Sequence, residues 1–172
     1  MAYLVERITS LDESVFDNLY ADSEEKINAG TIGTDPSLGE NHRKEWVKEN
    51  LDEALSSGFV LQVKKDDVIV FVAGGPLNGT LWECEVFLAG RDASGSRRFL
   101  YDTDWLIAMR DFHKSMASVY TEQQYRQARN KSSETHYDQM VQRADADARF
   151  THTATAQNID INITTRKLTG IE

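Results

Sequence analysis

The sequence predicts an α/β (α+β) domain: a mixed sheet flanked by helices on both faces. Three observations carry this. Short β-rich runs alternate with amphipathic helical segments along the whole chain. Three strands follow one another with only turn residues between them. Apolar positions switch repeatedly between a period near 3.6 and a period of 2. The 172 residues match one compact domain spanning 1–172, which would bury roughly 70% of its unfolded surface.

The elements follow in order. Tyr3 to Ile8 reads as a strand. Ser10 with Glu13 forms a capping-box pattern before Leu11, Val15, Phe16 and Leu19 at helical spacing. Gly30, Gly33, Pro36 and Gly39 mark a linker to a second helix over Asn41 to Leu55, with Gly58 as its stop signal. A meander comes next: Phe59 to Val63, Val68 to Ala73 after the turn Lys64-Lys65-Asp66-Asp67, and Leu81 to Leu88 after a Gly- and Pro-containing loop. The small-residue stretch Ala89 to Arg98 feeds a helix whose Trp105, Met109, Phe112 and Met116 form a stripe suited to packing on the sheet. Ser118 to Arg126 is a polar candidate strand. Ser132 can cap a helix carrying Tyr137, Met140 and Val141. Ile159, Ile161 and Ile163 alternate with polar residues as a closing strand, paired with Phe150 to Thr155.

Composition narrows the function classes. With 19 basic against 28 acidic side chains, the net charge is −9. That is the reverse of the basic footprint that phosphate backbones attract, so nucleic acid is not the expected partner. Cys84 is the only cysteine, which excludes an intrachain disulfide. It alternates with Trp82 and Val86, as a buried structural thiol would. His42, His113, His136 and His152 are scattered without metal-ligand spacing, so no metal site is expected. Met1 to Glu6 does not resemble a basic-then-apolar leader, and no window approaches 18 apolar residues. The expectation is a cytoplasmic chain without a membrane partner.

Three groups of residues are candidates for chemistry. Asn130, Ser133 and Tyr137 stand at the spacing Asn-x-x-small-x-x-x-Tyr at the start of a helix. Gly90-Arg91-Asp92-Ala93-Ser94-Gly95-Ser96-Arg97-Arg98 is Gly- and Ser-rich, holds the densest positive charge of the chain and precedes a helix. Backbone amides at such a place can hold an anion, although a turn capped at Ser94 or Ser96 fits equally. On the strand Leu81 to Leu88, strict alternation puts Glu83, Glu85 and Phe87 on one face and Trp82, Cys84, Val86 and Leu88 on the other. Paired carboxylates raise each other's proton affinity and can act as a general base; two ordinary surface glutamates are the plain alternative.

With the element order, these residues resemble the GCN5-related N-acetyltransferases (GNAT), over nearly the whole chain. The resemblance implies a mostly antiparallel mixed sheet, acetyl-coenzyme A as co-substrate, and direct attack of a primary amine on the thioester. It implies that Asn130 contacts the cofactor and that Tyr137 protonates the departing thiolate, a transfer that eases departure of the sulfur. It implies that the strand Leu81 to Leu88 splays from its neighbour and offers free amides around Val86 and Leu88 to the thioester carbonyl. It also implies a pyrophosphate site at the loop with Arg91, Gly95, Ser96, Arg97 and Arg98. There the family's Arg/Gln-x-x-Gly-x-Gly/Ala pattern is replaced by a sequence with Asp92 in the Arg/Gln position. The acceptor would be a small or protein amine, which an acidic surface suits, and a homo-oligomer is compatible. A non-catalytic binding or structural component of a larger assembly with this fold is the alternative, as is an unrelated α/β domain.

Overall fold

The computed structural model describes residues 3–28, 44–96, 99, 102–128, 153–158 and 163–169. The strand β1 (Tyr3–Ile8) leads into α1 (Glu13–Asn28). Since the helix opens at Glu13, Ser10 stands outside it and the expected capping box is not its start. α2 (Lys44–Ser57) buries Val47, Leu51 and Ala54, whose i, i+4, i+7 spacing puts them on one helix face. Gly58 then hands the chain to β2 (Phe59–Lys65), whose hairpin with β3 (Val68–Gly75) turns on Asp66 and Asp67. Both have positive φ, 49° and 67°, the twist that lets a two-residue turn match the flanking strands.

Beyond β3 come β4 (Leu77–Asn78), β5 (Leu81–Cys84), β6 (Val86–Ala89), α3 (Thr103–Ser115), β7 (Glu122–Ala128), β8 (Thr153–Asn158) and β9 (Ile163–Thr169). They form two sheets, ordered β1-β2-β3-β6 and β4-β5-β7-β9-β8. Every pairing is antiparallel except β5 with β7. The polar candidate strand is real but displaced towards the C-terminus, at Glu122–Ala128. The closing hairpin is also displaced: β9 begins at Ile163, and Ile159 and Ile161 lie outside the described residues.

Helices cover both faces, and period-2 alternation sorts the side chains between them. Phe59, Leu61, Val63, Phe71 and Ala73 join Trp105, Met109 and Phe112 of α3 in one cluster. Val60 and Val72 join Phe16, Leu19 and Tyr20 of α1 and Val47, Leu51 and Ala54 of α2 in the other. No helix among the described residues is long and apolar enough to cross a membrane.

Candidate functional site

The strand read as one run from Leu81 to Leu88 is divided at Glu85. Its first half pairs in parallel with β7, from Leu81↔Glu122 to Cys84↔Tyr125, and there the pairing stops. Among the described residues its second half pairs only with β3, while β7 runs on past that point along β9, which it pairs from Gln123 to Ala128. The two neighbours therefore part beyond Cys84, leaving one edge of Val86–Ala89 without a described strand partner.

The hydrogen bonds show which amides face that open edge. Glu85 N donates to Gly74 O at 3.1 Å and Gly90 N to Val70 O at 2.8 Å. Stepping by two along the ladder from Gly90, the amides of Leu88 and Val86 also face β3, opposite Val72 and Gly74. Phe87 and Ala89 therefore turn their amides away from β3. Val86 and Leu88, expected to offer free amides, are instead the ladder residues, one position out of phase.

The same division corrects the expected faces. With Glu85 and Val86 both set against Gly74, one extra residue enters the strand as a bulge. Trp82 and Cys84 lie in the α3 cluster, yet Val86 and Leu88 lie in the α1/α2 cluster. The four residues do not share a face. Glu83 and Glu85 are both half-buried, on either side of Cys84. Gly75 permits the crossing: a Cβ there would meet the carbonyl oxygen of Glu83 at 1.7 Å. The Cys84 thiol is fully buried, with its proton affinity pushed up by that burial, and it lies 3.6 Å from the carbonyl oxygen of Val86. It is a structural residue, not a nucleophile.

The loop after β6 is organised around Asp92. Its Oδ1 accepts from the amide of Ser94 at 2.9 Å, from Ser94 Oγ at 2.6 Å and from the amide of Ser96 at 3.0 Å. Its Oδ2 accepts from Lys65 Nζ at 2.8 Å, and this pair is well shielded, with side chains 14% and 8% exposed. The Lys65 ammonium, ahead of the Ser94 and Ser96 donors, holds the Asp92 carboxyl far below the usual carboxylate range. Arg91 braces the loop, donating to Gly95 O at 3.0 Å and lying 3.5 Å from Asp22. Gly95 occupies the left-handed region at φ 78°.

The helix beyond does not start at this loop. α3 opens at Thr103 with Asp102 as its N-cap, its Oδ1 accepting from Asp104 N at 3.0 Å, so neither Ser94 nor Ser96 caps it. Asp102 Oδ2 also accepts from the Tyr3 hydroxyl at 2.9 Å, tying the helix start to β1. Glu83, Glu85, Val86, Leu88, Arg91, Gly95 and Ser96 are thus gathered along one contiguous run. Arg97, Arg98, Asn130 and Tyr137 lie outside the described residues.

Sequence reasoning missed a buried polar pair beneath the first half of the strand. His113 Nδ1 and Tyr120 Oη are 2.6 Å apart, with both rings against Trp82. Burial lowers the His113 pKa to about 3 and raises that of Tyr120. His113 adjoins Phe112 on the apolar stripe, and that adjacency was the only available signal. Among the described residues no cluster of three or more metal-ligating side chains occurs.

No family profile and no curated relative matches the chain by sequence. Solved structures do match it. The PaiA N-acetyltransferase of Thermoplasma acidophilum, in complex with coenzyme A, aligns with TM-score 0.58 at 11% identity, over 97% of this chain and 98% of that one. A GNAT-family acetyltransferase of Listeria monocytogenes aligns with TM-score 0.58 at 11% identity, over 99% and 95%. A Bacillus subtilis acetyltransferase in complex with coenzyme A aligns with TM-score 0.53 at 11% identity, over 98% and 99%. The chain has the fold of the GCN5-related N-acetyltransferases, a mixed, mostly antiparallel sheet with helices on both faces.

Proposed function

We propose that the chain is an acyl-coenzyme A-dependent N-acyltransferase that transfers an acetyl group to a primary amine by direct attack. The observation that carries this reading is the parting of the β5–β6 strand from β7, which leaves the outward amides of Phe87 and Ala89 on an edge without a described strand partner. A preorganised N–H donor at a strand edge can stabilise the negative charge that develops on a carbonyl oxygen under attack. Structures of the same fold described as complexes with coenzyme A support a thioester as the occupant.

In this reading Glu83 or Glu85 takes the proton of the attacking amine, directly or through water. Both are half-buried beside the bulge. Tyr137 is the proposed general acid and Asn130 a proposed cofactor contact. The cofactor residues proposed at the loop are Arg91, Gly95, Ser96, Arg97 and Arg98. Residues 1–172 are taken as one cytoplasmic domain acting on a small or protein amine.

The non-catalytic alternative is favoured by one observation: the Ser94 and Ser96 amides are already occupied by Asp92. Isothermal titration of acetyl-coenzyme A, followed by thiol release with an amine panel, separates the two. Micromolar binding and thiol release are expected. Absence of binding at millimolar cofactor would leave the fold as a binding or structural module.

A further inference from the structure

The loop Gly90 to Ser96 contains a small anion cradle, and the anion in it belongs to the chain. Two backbone amides, a hydroxyl and an ammonium converge on the one carboxylate of Asp92. The ammonium comes from a distant part of the sequence: Lys65 ends β2, where the turn through Asp66 and Asp67 fixes its position. Convergent amides plus one lysine form the donor set that suits a phosphate oxygen. The cradle also directly follows β6, whose open edge is the proposed thioester site.

We propose that Asp92 is a built-in competitor for this cradle. Its carboxylate occupies the donors that a phosphate group would take, so coenzyme A engages the loop only by displacing it. Asp92 thereby sets cofactor affinity. For the identity of the incoming anion this inference rests on the acyl-coenzyme A reading; for the cradle it does not.

The physical argument is one of substitution. The Asp92 side chain is only 8% exposed, and that of Lys65 14%, so water has little access to the pair. Removing the carboxylate would take the acceptor from two amides, one of them on the exposed Ser94, and the counter-charge from a shielded ammonium. A soluble anion entering that space would satisfy all of them at once. In the wild-type chain the same anion would find the donors taken and a carboxylate in its way.

The test compares wild-type chain, Asp92→Ala and Asp92→Asn in thermal melts with and without millimolar inorganic pyrophosphate, then titrates each with coenzyme A. Asn keeps an acceptor oxygen over the amides, so it separates an emptied cradle from a neutralised one. Asp92→Ser, which removes the carboxylate from Lys65 but keeps a hydroxyl that can cap the turn, takes the place of Asp92→Ala should the latter melt without cooperativity.

Pyrophosphate well above its Kd is expected to raise the melting temperature of Asp92→Ala by about 5 °C or more, and that of wild type and Asp92→Asn by about 1 °C or less. Coenzyme A is expected to bind Asp92→Ala about ten-fold tighter than wild type. Adding Lys65→Gln to Asp92→Ala should erase both gains. Equal pyrophosphate shifts in wild type and Asp92→Ala, or none in either, would overturn the proposal even if coenzyme A binds both. A pyrophosphate gain confined to Asp92→Ala without coenzyme A binding to any form would establish the cradle and remove the acyl-coenzyme A reading instead.

Discussion

The two halves of the strand from Leu81 to Ala89 are made of similar residues and live in different surroundings. Leu81–Cys84 has β4 on one edge and β7 on the other, and its Trp82 and Cys84 are fully buried beneath α3. Val86–Ala89 has β3 on one edge and no described strand on the other, and its Val86 and Leu88 turn to α1 and α2. One residue, Glu85, separates them. A period of 2 makes a strand sensitive to parity: one extra residue sends every later side chain to the other face. The strand thereby serves two cores and leaves one edge open between them.

The strongest way to break this contrast is to truncate one buried side chain in each half. Trp82→Ala is expected to cost about 3–5 kcal/mol and Leu88→Ala about 2–4 kcal/mol in urea unfolding, because the larger ring leaves the larger void.

Proline sharpens the contrast further, since it removes one amide at a time. Leu88→Pro breaks the ladder with β3 and should cost about 3 kcal/mol, whereas Ala89→Pro removes an outward amide and should cost less than about 1 kcal/mol. Weakened acetyl-coenzyme A binding by Ala89→Pro at near-native stability would place the ligand on the open edge; unchanged binding would remove that amide from the site.

A change of pH alone tests the pair under the first half, His113 and Tyr120. His113 is held neutral in the folded chain, with its pKa lowered to about 3, while the unfolded chain takes up a proton near its ordinary value of about 6.5. The unfolded state therefore binds more protons below that value, and stability falls as pH drops from about 6.5 towards 3. At pH 5 the loss relative to pH 7.5 should be about 2 kcal/mol from this group. His113→Gln should flatten that part of the urea-derived pH profile.

Much of the framework was legible. The hairpin β2–β3, the inner face of α2 and the stripe Trp105, Met109, Phe112 all follow from apolar periodicity, since the structure buries what the period predicts. The bulge was not legible, because Trp82, Cys84, Val86 and Leu88 alternate without a visible break and both faces available to them are apolar. Asp92 was half legible. Its sign is wrong for a phosphate loop, but the sequence could not show that its carboxylate reaches round to Ser94 and Ser96, or that Lys65 meets it from β2. His113 and Tyr120 were invisible as a pair, because their meeting depends on where the chain turns after α3. The displaced strands at β7 and β9 reflect sequence in which polar residues predominate and boundaries are set by pairing partners.

The division at Glu85 also orders how the molecule can be assembled as it leaves the ribosome. The chain visits the first sheet with β1, β2 and β3, the second with β4 and β5, and returns to the first with β6 before β7, β8 and β9 are made. A nascent chain extended to Ala89 already holds all four strands of the first sheet. β5 must wait for β7, which follows the whole of α3, before its outer edge is paired. Growth from the N-terminus thus offers a complete first sheet as the template on which the second closes, with β5 held beside it by its peptide bond to Glu85 in the interval.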